Sequence, residues 1–82
     1  MSPELETLDQ LTGGDMPLST IRQLHPDRPS FESGILGLLS GGDVRLIDGS
    51  HDVPQWQWRE AIRTYNDRLA LSITPQGAGR VS

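Results

Sequence analysis

Two stretches decide the fold: Ser30–Gly49, SFESGILGLLSGGDVRLIDG, and Arg68–Gly77, RLALSITPQG. In the first, Phe31, Ile35, Leu38 and Leu39 stand at i, i+4, i+7 and i+8, the spacing of a helical core face. Ser30 is a suitable cap before Phe31, and Gly41-Gly42 ends the run. The spacing predicts a helix over Phe31–Leu39. Val44, Leu46 and Asp48 then alternate with Arg45 and Ile47, and Leu69, Leu71 and Ile73 alternate with Ala70, Ser72 and Thr74. Period-two alternation marks strands with one buried face, so Val44–Asp48 and Leu69–Thr74 are expected to pair as a hairpin beside the helix. Gly34 and Gly37 lie inside the helix, where each costs about 1 kcal/mol relative to Ala. Close packing against the first or second helix is the expected reason.

Working outward, Ser2-Pro3-Glu4 is a helix start: a capping hydroxyl, a proline tolerated at the first position and an acid at the positive end of the dipole. Leu5, Leu8 and Leu11 form one apolar stripe and Gly13-Gly14 stops it, which predicts a helix over 3–12. Asp15–Leu18 has room only for a bridge-like strand. Ser19 is expected to cap a second helix carrying Ile21 and Leu24 inward, ended by Pro26. His25–Pro29, HPDRP, reads as a rigid turn. Between the two strands, Gly49–Asp52 reads as a loop. Trp58, Ile62 and Tyr65, at i, i+4 and i+7, predict a helix over about 55–65, while Trp56-Gln57-Trp58 alone also suits a strand. Trp58 is expected inside with Ile62 and Trp56 partly exposed. Asn66-Asp67 is the expected turn into the last strand. Pro75-Gln76-Gly77 is expected to end that strand, leaving 77–82 as a frayed tail.

The chain has 82 residues, of which 34% are hydrophobic, so a single small domain is expected. A chain of this size buries only a little over ~60% of its unfolded surface. The expected core is Leu5, Leu8, Leu11, Leu18, Ile21, Leu24, Phe31, Ile35, Leu38, Leu39, Val44, Leu46, Leu71 and Ile73. There is no cysteine, which removes disulfides and thiolate metal sites. No apolar run approaches the length of about 20 residues needed to span a membrane, and no signal peptide is recognisable; the expected location is cytoplasmic. The net charge of −4 disfavours nonspecific binding to nucleic acid, whose affinity comes from Lys and Arg. Residues 1–42 hold six acids against Arg22 and Arg28, whereas 43–82 hold five of each sign. All the excess negative charge therefore lies in the first half.

The order helix, short bridge, helix, tight turn, helix, strand, loop, strand resembles a winged helix-turn-helix domain. The residues that carry the resemblance are Met16-Pro17-Leu18-Ser19, Leu38-Leu39-Ser40-Gly41-Gly42-Asp43-Val44 and Leu71-Ser72-Ile73-Thr74-Pro75-Gln76-Gly77. The expected fold is α+β and winged-helix-like: three helices on a small antiparallel hairpin, with a short helical insertion in the wing. The resemblance implies macromolecule binding, most often DNA, with the third helix in the major groove. Base readers are typically Arg, Lys, Asn and Gln. The outward positions of the third helix are Ser30, Glu32, Ser33, Gly34, Gly37, Ser40 and Gly41, and none is of those types. Candidate nucleic-acid contacts are Arg22, Arg28, Arg59, Arg63 and Arg68.

No catalytic constellation is present. Asp48, His51 and Asp52 are too few to make a structural metal site, and two of the three lie in one flexible loop. There is no Gly-x-Ser-x-Gly elbow and no phosphate-binding glycine loop. No cofactor is expected. The favoured function is a non-enzymatic protein-interaction module that binds a protein partner or forms a homodimer. Its candidate partner-binding residues are Gly34, Gly37, Trp56, Arg59 and Arg63. The alternative is a DNA-binding transcriptional regulator.

Overall fold

The computed structural model describes residues 2–64 and 68–81. In chain order the elements are α1 (Pro3–Leu11), β1 (Met16–Pro17), α2 (Leu18–Arg22), α3 (Arg28–Ser40), β2 (Val44–Asp48) and β3 (His51–Asp52). A 3-10 turn (Gln55–Gln57), α4 (Trp58–Arg63), β4 (Leu69–Ile73) and α5 (Pro75–Val81) follow. The expected turn at Asn66-Asp67, and Tyr65 in the expected helix, lie outside the described residues.

The two main strands pair antiparallel, Val44 opposite Ile73 and Asp48 opposite Leu69. They belong to a larger sheet than the expected hairpin, four antiparallel strands in the order β1-β4-β2-β3. Met16 and Pro17 pair with Leu71 and Ala70. Pro17 is tolerated there because β1 is an edge strand and needs no donor on its outer side. At the other edge His51 and Asp52 fold back on Asp48 and Ile47, where a loop was expected. Gly49, at φ 65°, supplies the left-handed residue of that turn. The result is a small α+β domain, helices packed on an open antiparallel sheet, broadly compatible with a winged-helix-like arrangement.

Several helix starts differ from expectation. Asp27, not Ser30, caps α3: its carboxylate accepts from the Ser30 amide at 2.8 Å. The helix therefore begins at Arg28, with Pro29 in its first turn, where its missing N–H costs nothing. Likewise α2 begins at Leu18, with Pro17 in the cap position and no side-chain cap bond, because Leu18 is fully buried beneath the sheet end. In α1 the Ser2 hydroxyl accepts from the Leu5 amide as expected. The end of α3 is a Schellman motif: the Asp43 amide donates to Leu38 O at 3.0 Å and the Gly42 amide to Leu39 O at 3.2 Å. Gly42 takes the positive φ, 80°, that this turn requires.

The core comprises Leu8, Leu11, Leu18, Ile21, Phe31, Ile35, Leu38, Leu39, Val44, Leu46, Ile62, Leu69 and Leu71. Leu5 and Ile73 pack on it half-buried. Leu24, expected inside, is half-buried because α2 has already ended at Arg22. Leu69 is the addition, and Ile62, expected inside with Trp58, joins the same core while Trp58 is only half-buried. The largest departure is the C-terminus: residues 75–81 form helix α5, not a frayed tail, and α5 lies against α1. Thr74 begins it as a cap, its hydroxyl accepting from the Gly77 amide at 3.1 Å and donating to Gly42 O at 2.6 Å. Gln76 donates to Gly41 O and to Asp43 Oδ1, and the Arg80 guanidinium donates to Asp43 Oδ2. Thus Gly41-Gly42-Asp43 and Thr74-Pro75-Gln76-Gly77, far apart in sequence, form one contact.

Candidate functional site

The site is built where the segment between β3 and β4 returns over α3. The core face of α3 is Phe31, Ile35, Leu38 and Leu39; the adjacent stripe, Glu32, Leu36 and Ser40, turns toward α4. Ile62 is the anchor of α4, 1% exposed, and burying such a side chain stabilises by about 1.5–3 kcal/mol. At the start of α4 the Trp58 indole N–H donates to Val53 O at 3.0 Å, so Trp58 sits half-buried on the core edge. Its rotation inward leaves Trp56, one short turn earlier, 80% exposed. Trp56 is the one large hydrophobic side chain exposed among the described residues.

Two adjoining hollows run along the α3–α4 seam. One, of about 240 Å³, is lined by Glu32, Leu36, Arg59, Glu60, Ile62 and Arg63. The other, of about 630 Å³, is lined by Leu36, Ser40, Gln55, Trp56, Trp58 and Arg59. Leu36 and Arg59 are common to both. The charges are not equivalent. Arg63 pairs with Glu60 at 2.8 Å and Arg28 lies 3.7 Å from Glu32, while Arg28 also donates to the Arg63 carbonyl. Arg59 has no hydrogen bond or ion pair among the described residues. The structure thus places Trp56, Arg59 and Arg63 together, with Arg28 at the far end of the same seam.

The other candidates lie elsewhere. Gly34 is buried: a methyl there would stand 3.0 Å from His25 Cε1 and 3.1 Å from Glu4 Oε1. Its reason is close packing of side chains from α1 and from the turn after α2, so it is not part of an open face. Gly37 is exposed, and a methyl there would meet nothing within 4 Å; nothing in the structure explains it. Arg22 donates to the His25 carbonyl, and Arg68 lies 3.4 Å from Asp48 at the base of the β2–β4 ladder. Of the five arginines named as nucleic-acid contacts, Arg28, Arg59 and Arg63 meet at the α3–α4 seam, whereas Arg22 and Arg68 contact His25 and Asp48.

Sequence reasoning missed three buried polar residues, Thr7, His25 and Asp43. His25 is 4% exposed, its ring edge-on to Phe31. Thr7 donates to Pro3 O and so accepts from His25 Nε2 at 3.2 Å; Nδ1 is buried with no hydrogen-bond partner among the described residues. Burial holds the imidazole below its ordinary value; Glu4 opposes this, Arg22 adds to it and Glu6 opposes it. Asp43 is 2% exposed and is held by Gln76 and Arg80, partners that reach it only because α5 exists. Among the described residues no three His, Asp or Glu side chains are grouped to hold a metal ion. Among the same residues no helix is long and apolar enough to cross a membrane.

Comparisons with protein-family models, with curated proteins and with solved structures gave no match to this chain.

Proposed function

We propose that this chain is a winged-helix-like module that acts by protein contact, without chemistry of its own, through the seam between α3 and α4. The observation that carries the reading is the placement of α4. In a winged helix the third helix enters the DNA major groove. Here the insertion between β3 and β4 folds back onto that helix, buries Ile62 and sets an exposed tryptophan beside Arg59, which has no ion pair among the described residues. The exposed residues of α3 are Arg28, Pro29, Ser33, Gly37 and Ser40; Arg28 is engaged by Glu32 and the Arg63 carbonyl, which leaves two serine hydroxyls and none of the bidentate Arg, Lys, Asn or Gln contacts that discriminate bases. Exposed Trp and Arg, by contrast, are the residue types that most often anchor protein interfaces.

Titration with mixed-sequence duplex DNA at low salt tests the reading. The expected result is no binding in the micromolar range that nonspecific DNA binders reach. Micromolar binding that weakens steeply with salt, and is lost on Arg59→Ala with Arg63→Ala, overturns it in favour of a DNA-binding regulator. Sedimentation over a range of concentrations then separates a second copy from a foreign partner.

A further inference from the structure

The geometry points to a specific occupant: a short acidic segment of another protein, seating an apolar side chain in the α3–α4 seam and a carboxylate on Arg59. The inference rests on the protein-contact reading and deepens it.

Charge comes first. The molecule carries −4 overall, yet the seam is locally positive. Glu60 is matched by Arg63 and Glu32 by Arg28, and Arg59 stands between the two hollows with no partner among the described residues. A guanidinium offers a planar fork of donors that fits a carboxylate in bidentate fashion. It stands next to an indole that is 80% exposed, and both border a floor made by Leu36 and Trp58. An apolar side chain flanked by a carboxylate matches that arrangement; a basic segment would leave Arg59 facing like charge.

A second copy of this chain is the weaker occupant, for a reason visible on its own surface. Its acidic helix α1 has spent its apolar stripe: Leu8 and Leu11 are buried and Leu5 packs on the core. Trp56 is the one large apolar side chain that a described surface could offer. Docking Trp56 on Trp56 about a two-fold axis brings Arg59 toward Arg59. The apolar anchor and the carboxylate must therefore come from a different sequence.

The test uses the full chain, ¹⁵N-labelled, and three synthetic peptides that share a leucine framework and differ only in carrying Glu, Gln or Lys between the leucines. The Glu peptide is expected to shift the Trp56 indole and Arg59 signals saturably, with affinity falling as salt rises. Arg59→Glu, at an exposed position, is expected to weaken the Glu peptide at least tenfold and to transfer the preference to the Lys peptide. Equal binding of the Gln or Lys peptide to the unaltered seam overturns the acidic partner and leaves the protein-contact reading standing. Absence of any peptide response in those signals overturns the seam as the docking site. A response to duplex DNA in the same signals, with none to peptide, overturns both readings.

Discussion

Gly77 and Gly37 are both helical glycines, and the space around them makes opposite predictions. A methyl on Gly77 would overlap the Asp43 carbonyl oxygen. That oxygen also accepts from the Thr74 amide, so backbone, not a flexible side chain, would have to move. Gly77→Ala is therefore expected to lower stability by about 3 kcal/mol, the upper range for overpacking. Gly37 has open space around it, and Gly37→Ala is expected to raise stability by up to about 1 kcal/mol through helix propensity. Urea denaturation of the two variants checks both signs. His25 gives a third residue-scale prediction. Its folded-state pKa lies below the ordinary 6.5, so the unfolded chain takes up this proton first as pH falls. The His25 contribution is then complete above pH 6.5 and declines as the pH drops toward the folded value. A series of denaturation curves from pH 7.5 to pH 5 should show falling stability, with a smaller slope in His25→Gln. An unchanged slope in that variant would remove His25 as the cause.

Helix α5 shows which features of the fold were open to sequence reasoning. The periodicity of Phe31, Ile35, Leu38 and Leu39 and the alternation in Leu69–Ile73 were readable because one apolar face repeats within one element. The Trp56–Arg63 segment was readable for the same reason: Trp58 and Ile62 are one turn apart, and the exposure of Trp56 follows from which ring goes inward. PQGAGRV has no such face; two glycines and a proline in seven residues read as a tail. What makes it helical is tertiary. Thr74 caps it, Gly77 lets it approach Asp43, and Arg80 reaches the Asp43 carboxylate from its last turn. The signal available was the pairing of Gly-Gly-Asp with Thr-Pro-Gln-Gly, but sequence separation hides a contact of that kind. The burial of His25 was hidden for the same reason, since its partners Thr7 and Phe31 lie in α1 and α3. The latch predicts a measurable coupling. Arg80→Ala leaves a buried carboxylate without its cation and is expected to cost about 2 kcal/mol, the scale of a hydrogen bond to a charged group. In an Asp43→Asn background the same replacement should cost less than about 0.5 kcal/mol, as for an exposed charge. Equal costs in the two backgrounds, read by denaturation, would mean that the Arg80–Asp43 pair does not help to hold α5.

At the scale of the molecule, the fold separates a framework from an addition to it. Helices α1, α2 and α3 with strands β2 and β4 supply every buried core side chain but Ile62, and β4, lying between β1 and β2, carries the fully buried Leu71 at its centre. Both sheet edges are two-residue strands, which leaves little unpaired backbone to recruit another chain. The β2–β4 ladder runs to the pair Asp48 and Leu69, so its open end has the geometry that a two-residue Asn-Gly turn closes. Replacing residues 49–68 by Asn-Gly should therefore leave the framework folded. The loss should be about 3 kcal/mol, chiefly the burial of Ile62 and the half-burial of Trp58. Retained amide dispersion and a single denaturation transition would show it. The same variant decides what α4 is for. If the insertion is the docking platform, its removal abolishes the response to acidic peptide and confers no affinity for DNA, since the stripe of α3 that it uncovers, Glu32, Leu36 and Ser40, adds an acid and no Arg, Lys, Asn or Gln. If the shortened chain instead binds duplex DNA in a salt-dependent way, the insertion is a cover over a working recognition helix, and Arg22 and Arg28 become its first phosphate contacts to test.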